Sequence, residues 1–214
     1  LGYQTMLSDD WSFGVKFTHR DLKSIIDDIT IDKAIRANSW DGPHGNVYLL
    51  TNPNTDIVTS YDTDGDGTLE EVTIAASDLG YPNPKRIYNS LEFSLERAWD
   101  DVWSVNANYT WAHSYGNAEG YVKSDNGQDD AGLTTDWDFP YLMDGAYGNL
   151  PNDRRHTFKV FGAYAITENL QLGANILLQS GRPVNGFGHG LPEGYGVNDH
   201  YEYWGTYYIG AENE

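Results

Sequence analysis

The chain has 214 residues, a formal net charge of -19 and a pI near 4.4. That balance argues against a nucleic-acid partner, because phosphate contacts need Lys and Arg. It contains no cysteine, which excludes disulfides, thiolate metal sites and a cysteine nucleophile. It also lacks any run of ~18 apolar residues, so no transmembrane helix is expected. Membrane-spanning strands, which are short and only half apolar, are not touched by that exclusion.

In chain order, LGYQTM reads as the end of one strand, followed by a turn at Ser8 to Asp10. A second strand follows, in which Trp11, Phe13, Val15 and Phe17 alternate with Ser12, Gly14, Lys16 and Thr18. Regularity then stops. Residues 21–85 hold a brief amphipathic piece (LKSIIDDITIDKAI), Gly and Pro breaks, a strand-like GNVYLLTN and an acidic cluster. From Arg86 to Asn117 two long strands are joined by a short turn. Leu91, Phe93 and Leu95 oppose Ser90, Glu92, Ser94 and Glu96; Trp103, Val105, Ala107, Tyr109 and Trp111 oppose Ser104, Asn106, Asn108 and Thr110. A strict period of two is a strand signal, because successive side chains leave opposite faces of the pleat. Residues 116–153 are again polar and rich in Gly and Asp. A second hairpin follows, with Phe158, Val160, Gly162 and Tyr164 on one face, Leu170, Leu172, Ala174, Ile176 and Leu178 on the return strand, and a turn at Thr167 to Asn169. The segment 182–214 is irregular and aromatic-rich.

The order is short turn, long loop, short turn, long loop. Strands of ~9–11 residues with tight turns at one end and long loops at the other are an outer-membrane barrel pattern. Charge sorts the same way: the proposed loops (21–85, 116–153, 182–214) hold 25 acidic and 6 basic residues, while the strands and tight turns hold 7 of each. Lys16, Glu92, Glu96 and Lys159 all fall on the polar face. Basic charge facing lipid costs roughly 2–4 kcal/mol at the midplane.

One constellation carries chemistry. YDTDGDGTLEE places Asp62, Asp64 and Asp66 at alternate positions before Gly67, the first half of an EF-hand-type calcium loop. The carbonyl of Thr68 is the next expected oxygen ligand. The twelfth position is Thr73 instead of the bidentate Glu, so Glu70 or Glu71 would have to substitute, and flanking helices are not evident. Ca2+ at Asp62 to Glu71 is therefore expected to order a surface loop; the alternative is a solvated acidic turn. The six histidines have no metal-ligand spacing, and His156 reads as structural or interfacial. Neither G-x-S-x-G nor H-E-x-x-H occurs, so no enzyme is expected. Tyr195, Tyr201, Tyr203, Trp204, Tyr207 and Tyr208 are expected to pack among loops or lie at the membrane interface, with stacking on a sugar or peptide substrate as the other reading.

GNLPNDRRHTFKVFGAY (Gly148 to Tyr164), NANYTWAHSYGNAEG upstream and the strand from Arg86 together resemble the barrel of TonB-dependent outer-membrane receptors of the Oar-like group. The LPNDRRH stretch before an alternating strand is the most specific part. The resemblance implies an all-β fold: an antiparallel transmembrane β-barrel segment of about five to six strands from a ~22-stranded barrel. It implies a bacterial outer-membrane location with extracellular loops, contact with outer-membrane lipid, and uptake of an unidentified extracellular ligand. TonB would be reached through a plug domain outside this chain. The chain is accordingly expected to be an internal piece of barrel, with open sheet edges that aggregate in water.

The alternative is a secreted, calcium-stabilised β-sandwich acting as an adhesin or glycan-binding module. A sandwich would bury the apolar faces against each other, whereas a barrel segment leaves Leu91, Phe93, Val105, Tyr109, Leu172 and Ile176 on an uncovered surface.

Overall fold

A computed structural model describes residues 1–43, 45, 47–190 and 205–208. In chain order the elements are β1 (Gly2–Met6), β2 (Trp11–Leu22), β3 (Asp27–Thr30), α1 (Asp32–Ala37), β4 (Tyr48–Thr51), β5 (Ile57–Tyr61), β6 (Glu70–Ile74) and α2 (Ala76–Leu79). They continue with β7 (Arg86–Arg97), β8 (Trp103–Gly116), two 3-10 turns (Thr135–Trp137 and Pro140–Met143), β9 (Gly148–Asn149), β10 (His156–Thr167), β11 (Leu170–Gln179), β12 (Phe187–Gly190) and β13 (Gly205–Tyr208). No described helix is long and apolar enough to cross a membrane.

The chain divides into two compact units. The first comprises residues 1–21, 87–114 and 152–183. It is an antiparallel meander ordered β1-β2-β7-β8-β10-β11, each long strand paired with its predecessor. The register sets Trp103, Val105, Ala107, Tyr109 and Trp111 opposite Tyr164, Gly162, Val160, Phe158 and His156. Ile176 and Leu172 continue those rows on β11. The apolar face is thus continuous across strands, as one face of a pleat must be when each strand keeps a period of two.

Among the described residues, none covers that face. Leu172 is 61% exposed and Ile176 50%, and Leu91, Phe93, Trp103, Val105 and Tyr109 are only half-buried. The β-sandwich alternative required Trp103, Val105 and Leu172 to lie beneath a second layer of polypeptide, and they do not.

Each face carries a feature beyond the simple alternation. On the polar face the register puts Phe161 beside Asn106 and Asn175, and Leu177 beside Lys159. The apolar face also ends in a charge: Arg97 stacks on the Trp103 ring at 4.1 Å and donates to the Trp103 carbonyl at 2.7 Å. Its guanidinium also pairs with Asp100 in the adjoining turn. A long side chain at a strand end can cover apolar surface with its stem and keep its charge at the boundary.

The second unit comprises residues 22–86, 115–151 and 184–214 and holds 23 acidic against 6 basic side chains. The long connections in it are structured. Ile29, Ile31, Ala34, Ile35, Ile57, Tyr61, Ile74 and Leu79 from the first connection pack with Ala118, Trp137, Met143 and Ala146 from the second in one buried core. The hairpins β3–β4 and β5–β6 frame it. Helix α1 is only six residues long, with Asp32 in its first turn and Arg36 in its last, the placement that complements the helix dipole. Its buried Ile35 and Ala34 hold it in place, since so short a helix is not stable by propensity.

Candidate functional site

Two regions carry the chemistry that the sequence pointed to. The first is the two-faced sheet. At one end of its apolar face Trp11 meets Trp103 edge-on with ring centroids 5.9 Å apart. Toward the other end Phe93, Tyr109 and His156 stack in succession, with centroids 6.3 and 6.1 Å apart. The Tyr109 hydroxyl lies 2.8 Å from His156 Nδ1, and His19 Nδ1 lies 2.7 Å from the Asn89 side-chain oxygen. Rings with a polar tip at both ends of an apolar band belong at two membrane–water boundaries. From Trp103 to Trp111 the strand runs ~27 Å, or ~21 Å along the normal after a tilt of ~40°, close to the ~25 Å apolar band of outer-membrane barrels. His156, read from sequence as structural or interfacial, opens β10 and stacks on Tyr109.

The opposite face holds an open groove of about 490 Å³. Tyr88, Glu92, Asn108, Thr110, Thr157, Lys159 and Gln179 line it, with Arg154 and Asp153 at one end. Gln179 Nε2 donates to Thr157 Oγ1 at 3.3 Å, Arg154 donates to the Ser180 carbonyl at 2.8 Å, and Arg155 pairs with buried Asp153 at 2.8 Å. Hydroxyls, amides and both signs of charge make this a wetted surface, not a core.

The second region is the aspartate loop, which joins β5 to β6 as the tip of a hairpin. It is flanked by strands, where an EF-hand has helices. Carboxylate oxygens of Asp62, Asp64 and Asp66 all lie within 4.8 Å of one another. Among the described residues this is the one group of three or more His, Cys, Asp or Glu side chains arranged to hold a metal. The loop is shaped by its own carboxylates. Asp62 is buried and accepts from the Gly65 and Gly67 N–H groups at 2.7 and 3.0 Å. Asp64 accepts from the Asp66 N–H at 3.2 Å, and Asp66 from the Thr68 N–H at 2.6 Å, which holds the Asp66 carboxyl below the usual carboxylate range. Gly65 and Gly67 have φ of 77° and 90°, left-handed values that glycine adopts without strain. From outside the loop, Asp41 donates its N–H to the Thr63 carbonyl at 2.9 Å, and Trp40 packs against Tyr61.

Glu70 and Glu71 lie outside this group. Glu70 Oε2 accepts from both the N–H and the hydroxyl of Thr63, at 3.0 and 3.1 Å, and so closes the hairpin tip. Glu71 is exposed and pairs across the hairpin with Ser60. Thr68 contributes its N–H to Asp66, and Thr73, the twelfth position, lies within β6 opposite Val58. The β5–β6 hairpin around the motif was not read from sequence; the alternation Ile57, Thr59, Tyr61 immediately before it was the available signal. Of the tail aromatics, Tyr195, Tyr201, Tyr203 and Trp204 lie outside the described residues, and Tyr207 and Tyr208 fall in β13.

Comparison with known proteins agrees with this geometry. A family model described as "Outer membrane beta barrel domain" matches residues 1–194. The chain is 32% identical over 179 residues to the TonB-dependent transporter Oar of Myxococcus xanthus, a match covering 82% of this chain and 14% of that protein. It thus spans about one-seventh of the relative's length. No solved structure matches it. The uncovered apolar face, its ringed ends and its wetted reverse are the two sides of a barrel wall. The family is one of membrane barrels, not enzymes, and this chain belongs to it as an outer-membrane β-barrel segment of the kind found in TonB-dependent receptors.

Proposed function

We propose that the chain is part of the wall and extracellular surface of a TonB-dependent receptor that takes up an extracellular substrate through a plugged barrel. The observation that carries this reading is the single continuous sheet with lipid-type residues on one side and a polar groove on the other. The identity to a TonB-dependent transporter supports it. In this reading the apolar rows meet hydrocarbon and the groove faces the lumen. The acidic second unit forms the outer vestibule, and TonB is engaged through a plug domain outside this chain. Substrates with positive charge would be concentrated by such a vestibule, because an acidic field steers oppositely charged molecules. The test is the full-length receptor in its own cells. It should fractionate with the outer membrane, need detergent for extraction, and crosslink to TonB. Recovery in the soluble fraction without detergent would overturn the assignment.

We further propose that Ca2+ orders the β5–β6 tip through Asp62, Asp64 and Asp66. Oxygen donors at this spacing suit a hard cation. The Thr68 carbonyl and water would complete the shell, since Glu70 is held by Thr63. The ion's role would be to neutralise three clustered carboxylates and stiffen a loop. Calorimetric titration of the full-length receptor with Ca2+ should show one site lost in Asp64→Asn; no heat at millimolar Ca2+ would end the proposal.

A further inference from the structure

We propose that a small pocket in the second unit, walled by Leu22, Ile25, Ile26 and Tyr121 and lined also by Arg86, binds a monocarboxylate carried on one apolar group of about the size of a leucine side chain. The proposal rests on the reading of this unit as the extracellular surface of a receptor, but the binding itself is measured without transport. A receptor that fails to reach the outer membrane would strike that reading. A receptor that reaches it and binds no such acid would strike only the pocket.

The pocket has a volume of about 180 Å³ and lies between the stretch that joins β2 to β3 and the chain at Gly120 and Tyr121. Leu22, Ile25 and Ile26 supply its aliphatic side. Ile25 packs inward against the buried core, whereas Ile26 stays 52% exposed and Tyr121 62%. Exposed Leu50 extends the same surface: a methyl group on Gly132 would lie 3.8 Å from the Tyr121 ring and 3.9 Å from Leu50. An apolar cavity of about 150 Å³ is enough to hold benzene, so one branched aliphatic or aromatic group fits here. Contiguous exposed apolar surface of this kind marks a place where something binds.

Arg86 gives the pocket its chemistry. It opens β7, is half-buried, and donates through Nη1 to the Glu119 carbonyl. Gly120, which also lines the pocket, lets the guanidinium come this close, since a methyl group there would stand 3.0 Å from Nη1. The guanidinium has further N–H donors in the same plane, and a carboxylate meets two of them at once. Among the described residues no carboxylate pairs with Arg86, although 23 acidic side chains belong to this unit. Lys123 in the same unit, by contrast, holds both Asp136 and Asp125.

The surroundings decide which anion. An acidic unit repels a multiply charged anion more strongly than a singly charged one, so phosphate gains little at Arg86. A carboxylate whose apolar body enters the pocket removes hydrocarbon from water and keeps its single charge at the guanidinium. Both halves of the ligand are needed, because an exposed ion pair alone contributes little. Two sources carry such a group: the C-terminal residue of a peptide, and a free branched-chain acid.

Saturation-transfer NMR on the full-length receptor in detergent micelles tests this, with empty micelles as the blank. N-acetyl-leucine stands for the peptide terminus and isocaproate for the free acid. N-acetyl-leucinamide has the same body without the charge, and inorganic phosphate has charge without a body. At least one of the two acids should bind, with a dissociation constant on the order of 1 mM, and at least tenfold more tightly than the amide. A tenfold excess of phosphate should not displace it. Binding of either acid alone upholds the pocket and tells which source it serves. Arg86→Gln should lower the affinity for the acid to that for the amide. Ser24→Trp, at an exposed position lining the pocket, should abolish binding of acid and amide alike, and it keeps the test decisive if Arg86→Gln folds poorly. Binding of neither acid, equal binding of the amide, displacement by phosphate, or unchanged binding of the acid in a folded Arg86→Gln or Ser24→Trp would overturn the proposal.

Discussion

Asp27 and Thr134 are 107 positions apart in sequence and are joined by two hydrogen bonds, one from the Thr134 backbone and one from its hydroxyl. This pair ties β3 to the 115–151 segment beside the core that the two connections share. Hydrogen bonds to a charged acceptor contribute roughly 1.5–3 kcal/mol each. Thr134→Val keeps the volume and the backbone bond but deletes the hydroxyl. It should destabilise the 115–151 segment by about 2 kcal/mol, read as faster limited proteolysis between residues 119 and 140. With one donor gone, the Asp27 carboxyl should also rise further. The variant should therefore lose more stability at pH 8 than at pH 5.

The strands were legible in the sequence because lipid on one side and water on the other force a period of two along their whole length. Trp103 to Trp111 and Leu170 to Leu178 needed no further information. The folded state of the connections was not legible. Ile29, Ile57 and Trp137 are spaced far apart and follow no period, and their shared core comes from contacts between distant segments. The strands β3 to β6 are only four or five residues long, too short to register as alternation. Asp62, Asp64 and Asp66 were found because their spacing is local. The two bonds that Glu70 accepts from Thr63 were not legible, because sequence alone does not show which oxygen a side chain closes a hairpin tip with.

Lys123 is buried between two carboxylates and lies 5.1 Å from the Phe187 ring. Removing one partner of a buried ion pair leaves an uncompensated charge and costs about 3–5 kcal/mol. Lys123→Met should therefore damage the second unit more than any surface charge reversal, lowering its thermal midpoint while the sheet's exchange protection persists. Lys123→Arg keeps the charge and should recover most of the loss. Equal stability of Lys123→Met and the parent would mean that the pair contributes nothing.

The two faces of the sheet predict opposite responses to the same substitution. Ile176 lies mid-strand on the apolar side, and Asn175 beside it points to the polar side. Ile176→Arg should cost about 2–4 kcal/mol in refolding of the full receptor into lipid vesicles, while Asn175→Arg should stay within ~1 kcal/mol of the parent. Similar costs at the two positions would contradict a sheet with hydrocarbon on one side only.

Gly67 places the strictest local demand on the aspartate loop. Its φ of 90° turns the chain so that its N–H reaches Asp62 Oδ2 at 3.0 Å. No atom lies near enough to obstruct a methyl group there. Gly67→Ala therefore isolates backbone strain from crowding, and a left-handed conformation costs a non-glycine residue roughly 1–2 kcal/mol. The β5–β6 hairpin should remain paired, because Ile57, Tyr61 and Ile74 stay anchored in the core. Calcium affinity should fall by about tenfold, since 1.4 kcal/mol of strain relieved in the unbound loop must be reimposed on binding. Terbium luminescence sensitised by nearby Trp40 and displaced by Ca2+ would measure it. An unchanged affinity in Gly67→Ala would mean that the ion, if bound, does not require the loop conformation seen here.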